Sequence, residues 1–115
     1  MTKPWLKHYG DAIPHDVDTS SYRSVVDMLA EAAEHHKDRT AYSSFGGTLM
    51  FAGTWALARD FAAYLQTELG IQKGDRVAVM LPNMMAFPVA MYGILRAGGV
   101  QVNVNPMYTP RELEH

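Results

Sequence analysis

The fold of this chain is decided by the stretch Lys73–Pro106, which reads KGDRVAVMLPNMMAFPVAMYGILRAGGVQVNVNP. Its middle part, Met85–Ala97, is apolar on nearly every face and carries Arg96 as its single charge. A helix that is apolar all round must be packed on both sides. The flanking runs are short and rich in valine, which is typical of buried strands. The pattern therefore predicts one parallel βαβ unit with strands at Arg76–Leu81 and Val100–Val104.

Two parallel strands form an incomplete sheet, because both outer edges keep unpaired backbone groups. We therefore expect the chain to be the opening part of a larger protein. We also expect the open edges and the apolar helix to drive self-association, by strand pairing or by exchange of elements. After the second strand, Thr109-Pro110 has the order of a helix cap followed by a first helical proline, so a further helix should begin there.

The chain before the βαβ unit divides at residue 23. Residues 1–23 have no sustained period and predict an irregular arm, held on the surface by Trp5, Leu6 and Tyr9. Residues 24–115 predict the opening part of one incomplete domain. Its first element should be a helix over about 24–36, because Ser24 begins a capping-box pattern in which Asp27 replaces the usual glutamate.

Two further elements precede the first parallel strand. Ala41–Phe45 and Leu49–Phe51 flank Gly46-Gly47, which predicts a β-hairpin. A helix should then start with Thr54 as its cap and end with Gly70 at the C′ position. The expected class is α/β: N-terminal helices and a small hairpin, followed by the βαβ unit.

The composition excludes several function classes. The 115 residues carry a net charge of −2, no cysteine and no block of basic residues, so neither nucleic-acid binding, disulfides nor thiolate metal sites are expected. The N-terminus lacks the apolar segment of a secretory signal. The longest uncharged run, Met84–Leu95, has 12 residues, shorter than the ~20 that span a bilayer. We expect a soluble, cytoplasmic chain.

The two strand ends, Leu81-Pro82-Asn83 and Val104-Asn105-Pro106, are the best functional candidates on physical grounds. Ligands of open α/β sheets bind at the carboxyl ends of the strands. However, asparagine and proline also make good turns, and turn formation alone explains these residue types. We therefore assign them no binding role.

The other candidate motifs are also explained structurally. Gly46-Gly47 and Gly98-Gly99 match no phosphate-binding pattern and predict a turn and a helix end. His35 and His36 are neighbours on a helix and point about 100° apart, which does not suit one metal ion. No serine lies in a nucleophile elbow. We expect no catalytic, cofactor-binding or metal-binding residue in this chain.

Methionine is concentrated around the βαβ unit. Flexible apolar side chains suit a wall that accommodates lipid, and they suit an ordinary core equally well. The helix pattern already demands burial, so we expect a core position. The five residues are Met80, Met84, Met85, Met91 and Met107.

The whole chain resembles the opening of a bacterial long-chain fatty acyl-CoA synthetase of the adenylate-forming superfamily. Lys73-Gly74-Asp75-Arg76-Val77 and Gly93-Ile94-Leu95-Arg96-Ala97-Gly98 are similar to segments found throughout that superfamily, while Asn105–His115 is similar to the long-chain branch. Further similar segments are Trp5-Leu6 with Tyr9, Tyr22–Met28, Phe61–Gln66, Leu81–Asn83, Phe87–Ala90 and Val102–Val104.

The resemblance implies a ligase that joins a long-chain fatty acid to ATP as an acyl-adenylate and then transfers the acyl group to coenzyme A. ATP, magnesium and coenzyme A are thus the cofactors implied for the complete ligase, with none bound to this chain. It also implies dimers formed through N-terminal surfaces and loose association with the inner membrane face.

The phosphate loop, the adenine and ribose motifs, the hinge and the catalytic lysine of that family have no counterpart within residues 1–115. We therefore expect this chain to be an inactive scaffold segment of the large N-terminal domain. Two alternatives stay open: another adenylate-forming ligase, for medium-chain or aryl acids, and a stand-alone interaction module that docks on a full-length synthetase.

Overall fold

The structure is a computed structural model that describes residues 3–114. Met1, Thr2 and His115, which belong to the predicted arm and to the final predicted segment, lie outside the described residues. The fold is mixed α/β, as predicted. Its elements are a 3-10 helix (Pro4–His8), α1 (Val25–His35), β1 (Thr40–Ser44), β2 (Gly47–Met50), α2 (Phe51–Thr67), β3 (Arg76–Val79), α3 (Ala86–Ala97), β4 (Val100–Asn103) and α4 (Pro110–Leu113).

The predicted βαβ unit is confirmed. β3 and β4 are parallel neighbours, with Arg76 opposite Val100 and Val79 opposite Asn103, and α3 connects them. Within residues 3–114 this sheet has two strands. Gly98 ends α3 in the left-handed conformation, with φ of 86°. Both strands end earlier than predicted, and the residues that follow them are loop.

The centre of the fold is the contact between α2 and α3. Gly93 lies so close to α2 that an added Cβ would come within 2.7 Å of Phe61 Cδ1 and 3.1 Å of the Ala58 carbonyl oxygen. At the far end of the contact, Gln66 Nε2 donates to the Ala97 carbonyl at 3.3 Å. The helices therefore run side by side in the same direction. The core beside them consists of Ala62, Leu65, Val79, Ile94 and Ala97.

Burial of α3 follows the prediction. Every residue of α3 after Ala86 is buried or half-buried, and the helix contacts α1, α2, β3 and β4. Pro88 lies in its first turn, where a missing N–H costs no helical hydrogen bond.

The start of α1 also follows the prediction. Ser24 Oγ accepts from the Asp27 backbone N–H at 3.0 Å, which satisfies one of the free donors of the first turn. The Asp27 carboxylate accepts from Arg23 Nε at 3.1 Å.

The hairpin is confirmed, but its turn was predicted one residue too late. The two-residue loop is Phe45-Gly46, and Gly47 pairs with Ser44. Both loop residues have positive φ, 49° and 79°, which matches the twist of a tight hairpin. Phenylalanine rarely adopts this conformation, so the sequence favoured the glycine pair.

The predicted start of α2 is wrong by one turn. The helix begins at Phe51, which was assigned to the strand, and Thr54 is fully buried inside it. The first helical N–H groups, of Phe51 and Ala52, donate to the carbonyls of Arg39 and Lys37 at 3.1 and 3.2 Å. Backbone carbonyls from the preceding loop thus replace a side-chain cap.

The N-terminal arm is less irregular and less well held than predicted. It contains the 3-10 helix, which packs against no other element of residues 3–114. Lys3 forms an ion pair with Asp16. Trp5 and Tyr9 are exposed, so the prediction that they hold the arm on the surface is wrong.

Candidate functional site

The two candidate segments leave the sheet at the same edge. β3 ends at Val79 and β4 at Asn103, and these two residues are paired. The Val104 N–H donates to the Val79 carbonyl at 2.9 Å, just past the end of β4. The loops that carry Asn83 and Asn105 therefore start from adjacent positions, as expected for parallel strands.

The Asn105 side chain is hydrogen-bonded within its own turn. Its Oδ1 accepts from the Met107 N–H at 3.0 Å, and its carbonyl accepts from the Tyr108 N–H at 3.0 Å. This is the local side-chain-to-backbone pattern that favours asparagine in turns. The structural explanation given for Asn105 from the sequence is sufficient.

Asn83 has a different environment. It lines a cleft of about 250 Å³ between β1 and the loop after β3, and no residue of the loop after β4 lines that cleft. The structure therefore does not bring Asn83 and Asn105 together in one site. The other lining residues are Tyr42, Ser43, Ser44, Met84, Met85, Phe87 and Pro88.

The chemistry of this cleft is neutral. Burial, followed by interaction with the Tyr92 hydroxyl, raises the pKa of Tyr42 to about 12. Tyr42 thus stays protonated at physiological pH, and the serine hydroxyls and the Asn83 amide add donors and acceptors without charge. Such a set can hydrogen-bond a ligand, but it offers no base or acid that titrates near neutral pH. No local pattern predicts the cleft, because the hairpin and the loop are distant in the chain.

A larger hollow lies on the helical side, and we call it the α2–α3 groove. It consists of two adjoining hollows of about 450 and 310 Å³ that share Leu57, Ala86 and Val89. Its further lining is apolar apart from Asp60 and Thr48. Because Leu57 is 47% exposed, the groove is open to solvent.

A second uncovered surface lies on the other side of the sheet, and we call it the open sheet face. Val77 and Val79 face α3, so the alternate residues of β3 and their partners in β4 point away from it. Val100 and Val102 on this face are 48% and 38% exposed. The face consists of Arg76, Ala78, Val100 and Val102, all exposed.

Arg96 is the one charge of α3, and its guanidinium stacks on Trp55. The guanidinium carbon lies 3.7 Å from the centroid of the Trp55 ring. Arg96 Nη1 and Gln101 Oε1 are both buried without a hydrogen-bond partner among the described residues. Most buried polar atoms in folded proteins are paired, so these two atoms are exceptions.

The histidine pair has separate contacts. His35 Nδ1 lies 3.9 Å from Glu31 Oε1 in the same helix, whereas His36 packs against the ring of Phe51. Within residues 3–114, no group of three or more His, Cys, Asp or Glu residues is arranged to hold a metal ion. Nor does any helix there have the length and apolar character needed to cross a membrane.

The methionine prediction is wrong for three of the five residues. Met80, Met84 and Met107 are 41%, 39% and 83% exposed. Met85 and Met91 are half-buried. The exposed residues lie in the loops after β3 and β4.

Comparison with known proteins gives a matching family profile and similar curated proteins. The profile described as AMP-binding enzyme matches residues 29–115. The long-chain-fatty-acid–CoA ligase of Yersinia pestis is 49% identical over 115 residues, which are all of this chain and 20% of that protein. The chain thus spans about a fifth of the length of the curated relatives it matches.

Solved structures agree on the fold. A benzoate CoA ligase from Burkholderia xenovorans LB400 superposes with a TM-score of 0.71 at 32% identity, covering 75% of this chain and 17% of that protein. The N-terminal subdomain of NpsA from Klebsiella oxytoca superposes with a TM-score of 0.76 at 24% identity, covering 81% of this chain and 24% of that one.

Proposed function

This chain belongs to the AMP-binding enzyme family, and on that premise we propose that it is a scaffold segment of a ligase for long-chain fatty acids. The complete ligase would activate the acid with ATP as an acyl-adenylate and then transfer the acyl group to coenzyme A. The observation that carries the proposal is the 49% identity to a long-chain-fatty-acid–CoA ligase over the whole chain.

The residues of this chain have a supporting role in the proposal. The cleft beside Asn83 is small and neutral, and the Asn105 side chain is occupied by its turn. We therefore propose that ATP, magnesium and coenzyme A bind the complete ligase outside this segment, and that no catalytic, cofactor-binding or metal-binding residue lies in this chain. On this proposal the separate chain is inactive.

Two further proposals concern the environment of the chain. Its open strand edges and apolar surfaces support self-association of the isolated chain. The proposed location is the cytoplasm, with peripheral contact between the complete ligase and the inner membrane face; this rests on the resemblance to bacterial ligases. A strictly monomeric species in sedimentation at micromolar concentration would contradict self-association.

The alternative within the same family is a ligase for another acid. The structural likeness to a benzoate CoA ligase supports an aryl acid, and medium-chain acids belong to the same alternative. The alternative from another class is a stand-alone interaction module, and the uncovered surfaces of the chain support it.

A segment exchange tests the proposed function. The matching fifth of the Yersinia pestis ligase is replaced by this chain, and ATP–pyrophosphate exchange is measured with acids of increasing length. We expect exchange stimulated chiefly by long-chain acids, within about tenfold of the unmodified ligase, because the exchanged part carries packing and no catalytic group.

The control is the chain alone in the same assay, for which we expect no exchange. Exchange by the isolated chain would show that it does hold catalytic groups. A well-folded hybrid without exchange for any acid would reject the scaffold proposal.

A further inference from the structure

The cleft beside Asn83 is held in shape by contacts between the hairpin and the start of α3. Tyr42 of β1 interacts with the hydroxyl of Tyr92 on α3. Gly47 of β2 lies against Met85, since a Cβ added at Gly47 would come within 2.9 Å of Met85 Cε. Within residues 3–114, the lining of the cleft includes no residue of β3 or β4. The cleft is therefore formed independently of the open strand edges.

The lining of the cleft has a polar part and an apolar part. The polar part includes the hydroxyls of Tyr42 and Ser44 and the Asn83 amide. Asn83 is exposed, so its amide is open to a ligand, whereas the Asn105 side chain accepts from the Met107 N–H. The cleft thus suits a molecule with one polar and one apolar end. The apolar part consists of Met84, Met85, Phe87 and Pro88.

The described lining of the cleft carries no charged side chain. A carboxylate or phosphate bound here would lose hydration without gaining a cation, and an ammonium group would lose it without gaining a carboxylate. Tyr42 supplies no charge either, because its pKa of about 12 keeps it protonated. The cleft therefore selects an uncharged ligand. ATP, coenzyme A and a fatty acid carboxylate are all anionic, so this ligand differs from those proposed for the complete ligase.

The size of the cleft and the type of its apolar side chains indicate a single aromatic ring. The cleft has a volume of about 250 Å³, below the roughly 300–1,000 Å³ of pockets for drug-sized molecules. A cavity of about 150 Å³ holds benzene, so the cleft has room for one such ring and a small substituent. Met84, Met85 and Phe87 favour an aromatic ring, because thioether sulfur and aromatic side chains both make favourable contacts with one.

We propose that this cleft binds an uncharged compound with one aromatic ring and one hydrogen-bonding substituent, of which a primary carboxamide fits best. The ring packs on the methionines and Phe87, while the carboxamide forms hydrogen bonds with the Asn83 amide and the Ser44 hydroxyl. A primary carboxamide has donors and an acceptor, as the Asn83 side chain has, so the two groups satisfy each other. This proposal goes beyond the proposed function and does not depend on it.

The test is a titration of the isotope-labelled chain with benzamide, followed by NMR of the amide groups. A ligand of nine non-hydrogen atoms at the low end of usual binding efficiency has a dissociation constant of about 10 mM. We therefore expect saturable shifts of the Asn83 side-chain amide and the Ser44 backbone amide at millimolar benzamide. The absence of such shifts at about 20 mM benzamide, where a ligand of that affinity is mostly bound, overturns the proposal.

Three related compounds test the ligand class. Benzoate and benzylamine keep the ring and carry a negative and a positive charge at neutral pH, whereas cyclohexanecarboxamide keeps the amide and lacks the aromatic ring. We expect each compound to bind about threefold or more weakly than benzamide. Benzoate or benzylamine binding as tightly as benzamide would overturn the uncharged class. Equally tight binding of cyclohexanecarboxamide would overturn the aromatic class.

Matched variants test the position of the site. Asn83→Ala removes the amide, Met84→Ala removes part of the apolar lining, and Met107→Ala makes the same methionine change outside the cleft. All three residues are exposed, so the variants should keep the circular dichroism spectrum of the parent chain. We expect Asn83→Ala and Met84→Ala to weaken benzamide binding about threefold or more, and Met107→Ala to change it less than about 1.5-fold. Equal effects of the two methionine variants, or shifts confined to the α2–α3 groove, overturn the assigned site.

Discussion

The helical layer and the sheet layer of this molecule carry similar side chains but differ in how far those side chains are buried. Leu65 and Ile94, on α2 and α3, are 2% and 0% exposed, whereas Val100 and Val102 on β4 are 48% and 38% exposed. Aliphatic character is common to both layers, so composition does not distinguish them. The difference lies in the neighbours: the two helices cover each other, and the sheet is covered on one face. An apolar pattern predicts that a surface is buried. The element that covers this surface can lie in a different segment of the chain.

The largest expected difference between the layers is in large-to-small substitutions. Leu65→Ala removes a buried side chain and leaves a cavity, so the free energy of unfolding should fall by about 2–5 kcal/mol. Val102→Ala should change it by about 0.5 kcal/mol or less, as at other exposed positions. Urea unfolding followed by circular dichroism measures both values. Similar losses would show that the sheet face is buried in solution.

A second comparison uses the close approach of α2 and α3. Gly93→Ala would place a Cβ 2.7 Å from Phe61 Cδ1 and 3.1 Å from a backbone oxygen. Overpacking of this kind should lower the free energy of unfolding by about 1–3 kcal/mol. Gly10→Ala is the matched control, because no atom lies within 4 Å of its added Cβ. A neutral Gly93→Ala in the same urea unfolding would mean that the helices are further apart.

Two threonines on α2 compare a buried with an exposed hydrogen bond. Thr54 Oγ1 donates to the Met50 carbonyl at 2.9 Å, and Thr67 Oγ1 donates to the Ala63 carbonyl at 3.0 Å. Thr54 is fully buried, so Thr54→Val should lower the free energy of unfolding by about 1 kcal/mol. For the exposed Thr67→Val we expect a change within about 0.5 kcal/mol. If thermal unfolding gives equal losses, burial does not decide the strength of these bonds.

The smallest effect on stability is expected at α4, the last helix of the described chain. Hydrogen bonds from the Thr109 backbone N–H, and then from its hydroxyl, hold the pKa of Glu112 below its usual value. A lowered carboxyl pKa stabilises the helix start above the pKa of the unfolded chain, and this is lost as the pH falls through the folded pKa. The Thr109 amide resonance should therefore shift in the acid range and stay constant near pH 7.

The control for this titration is Glu112→Gln, which should abolish the acid shift of the Thr109 amide. Glu114→Gln leaves the Thr109–Glu112 pair intact and should leave the shift unchanged. A Thr109 amide that is insensitive to pH in the parent chain would contradict the hydrogen bond from the Thr109 N–H to the Glu112 carboxylate.

The sequence predicted elements whose signals are local. The α3 pattern, the Gly98 helix end and the Ser24 cap all depend on a few neighbouring residues, and each is found in the structure. The start of α2 depends on carbonyls of Lys37 and Arg39, more than ten residues upstream, and was missed.

Prediction of the candidate site from the sequence was limited in the same way, to features that depend on neighbouring residues. The Asn105 turn could be predicted from asparagine chemistry, since its partner is two residues away. The cleft between Tyr42 and Asn83 joins residues 41 positions apart and has no local pattern. The exposure of Met80 and Met107 was also missed, because hydropathy does not reveal which apolar residues lack neighbours.

The short span of the β3–β4 pairing has a consequence for biosynthesis. Arg76 and Val100 pair across only 24 positions, so the unit can close soon after Pro106 emerges from a ribosome. At about 5–20 residues per second, the rest of a chain of the relatives' length takes tens of seconds to follow. During that interval Val100 and Val102 stay exposed to solvent, and the nascent chain should be a client of ribosome-associated chaperones.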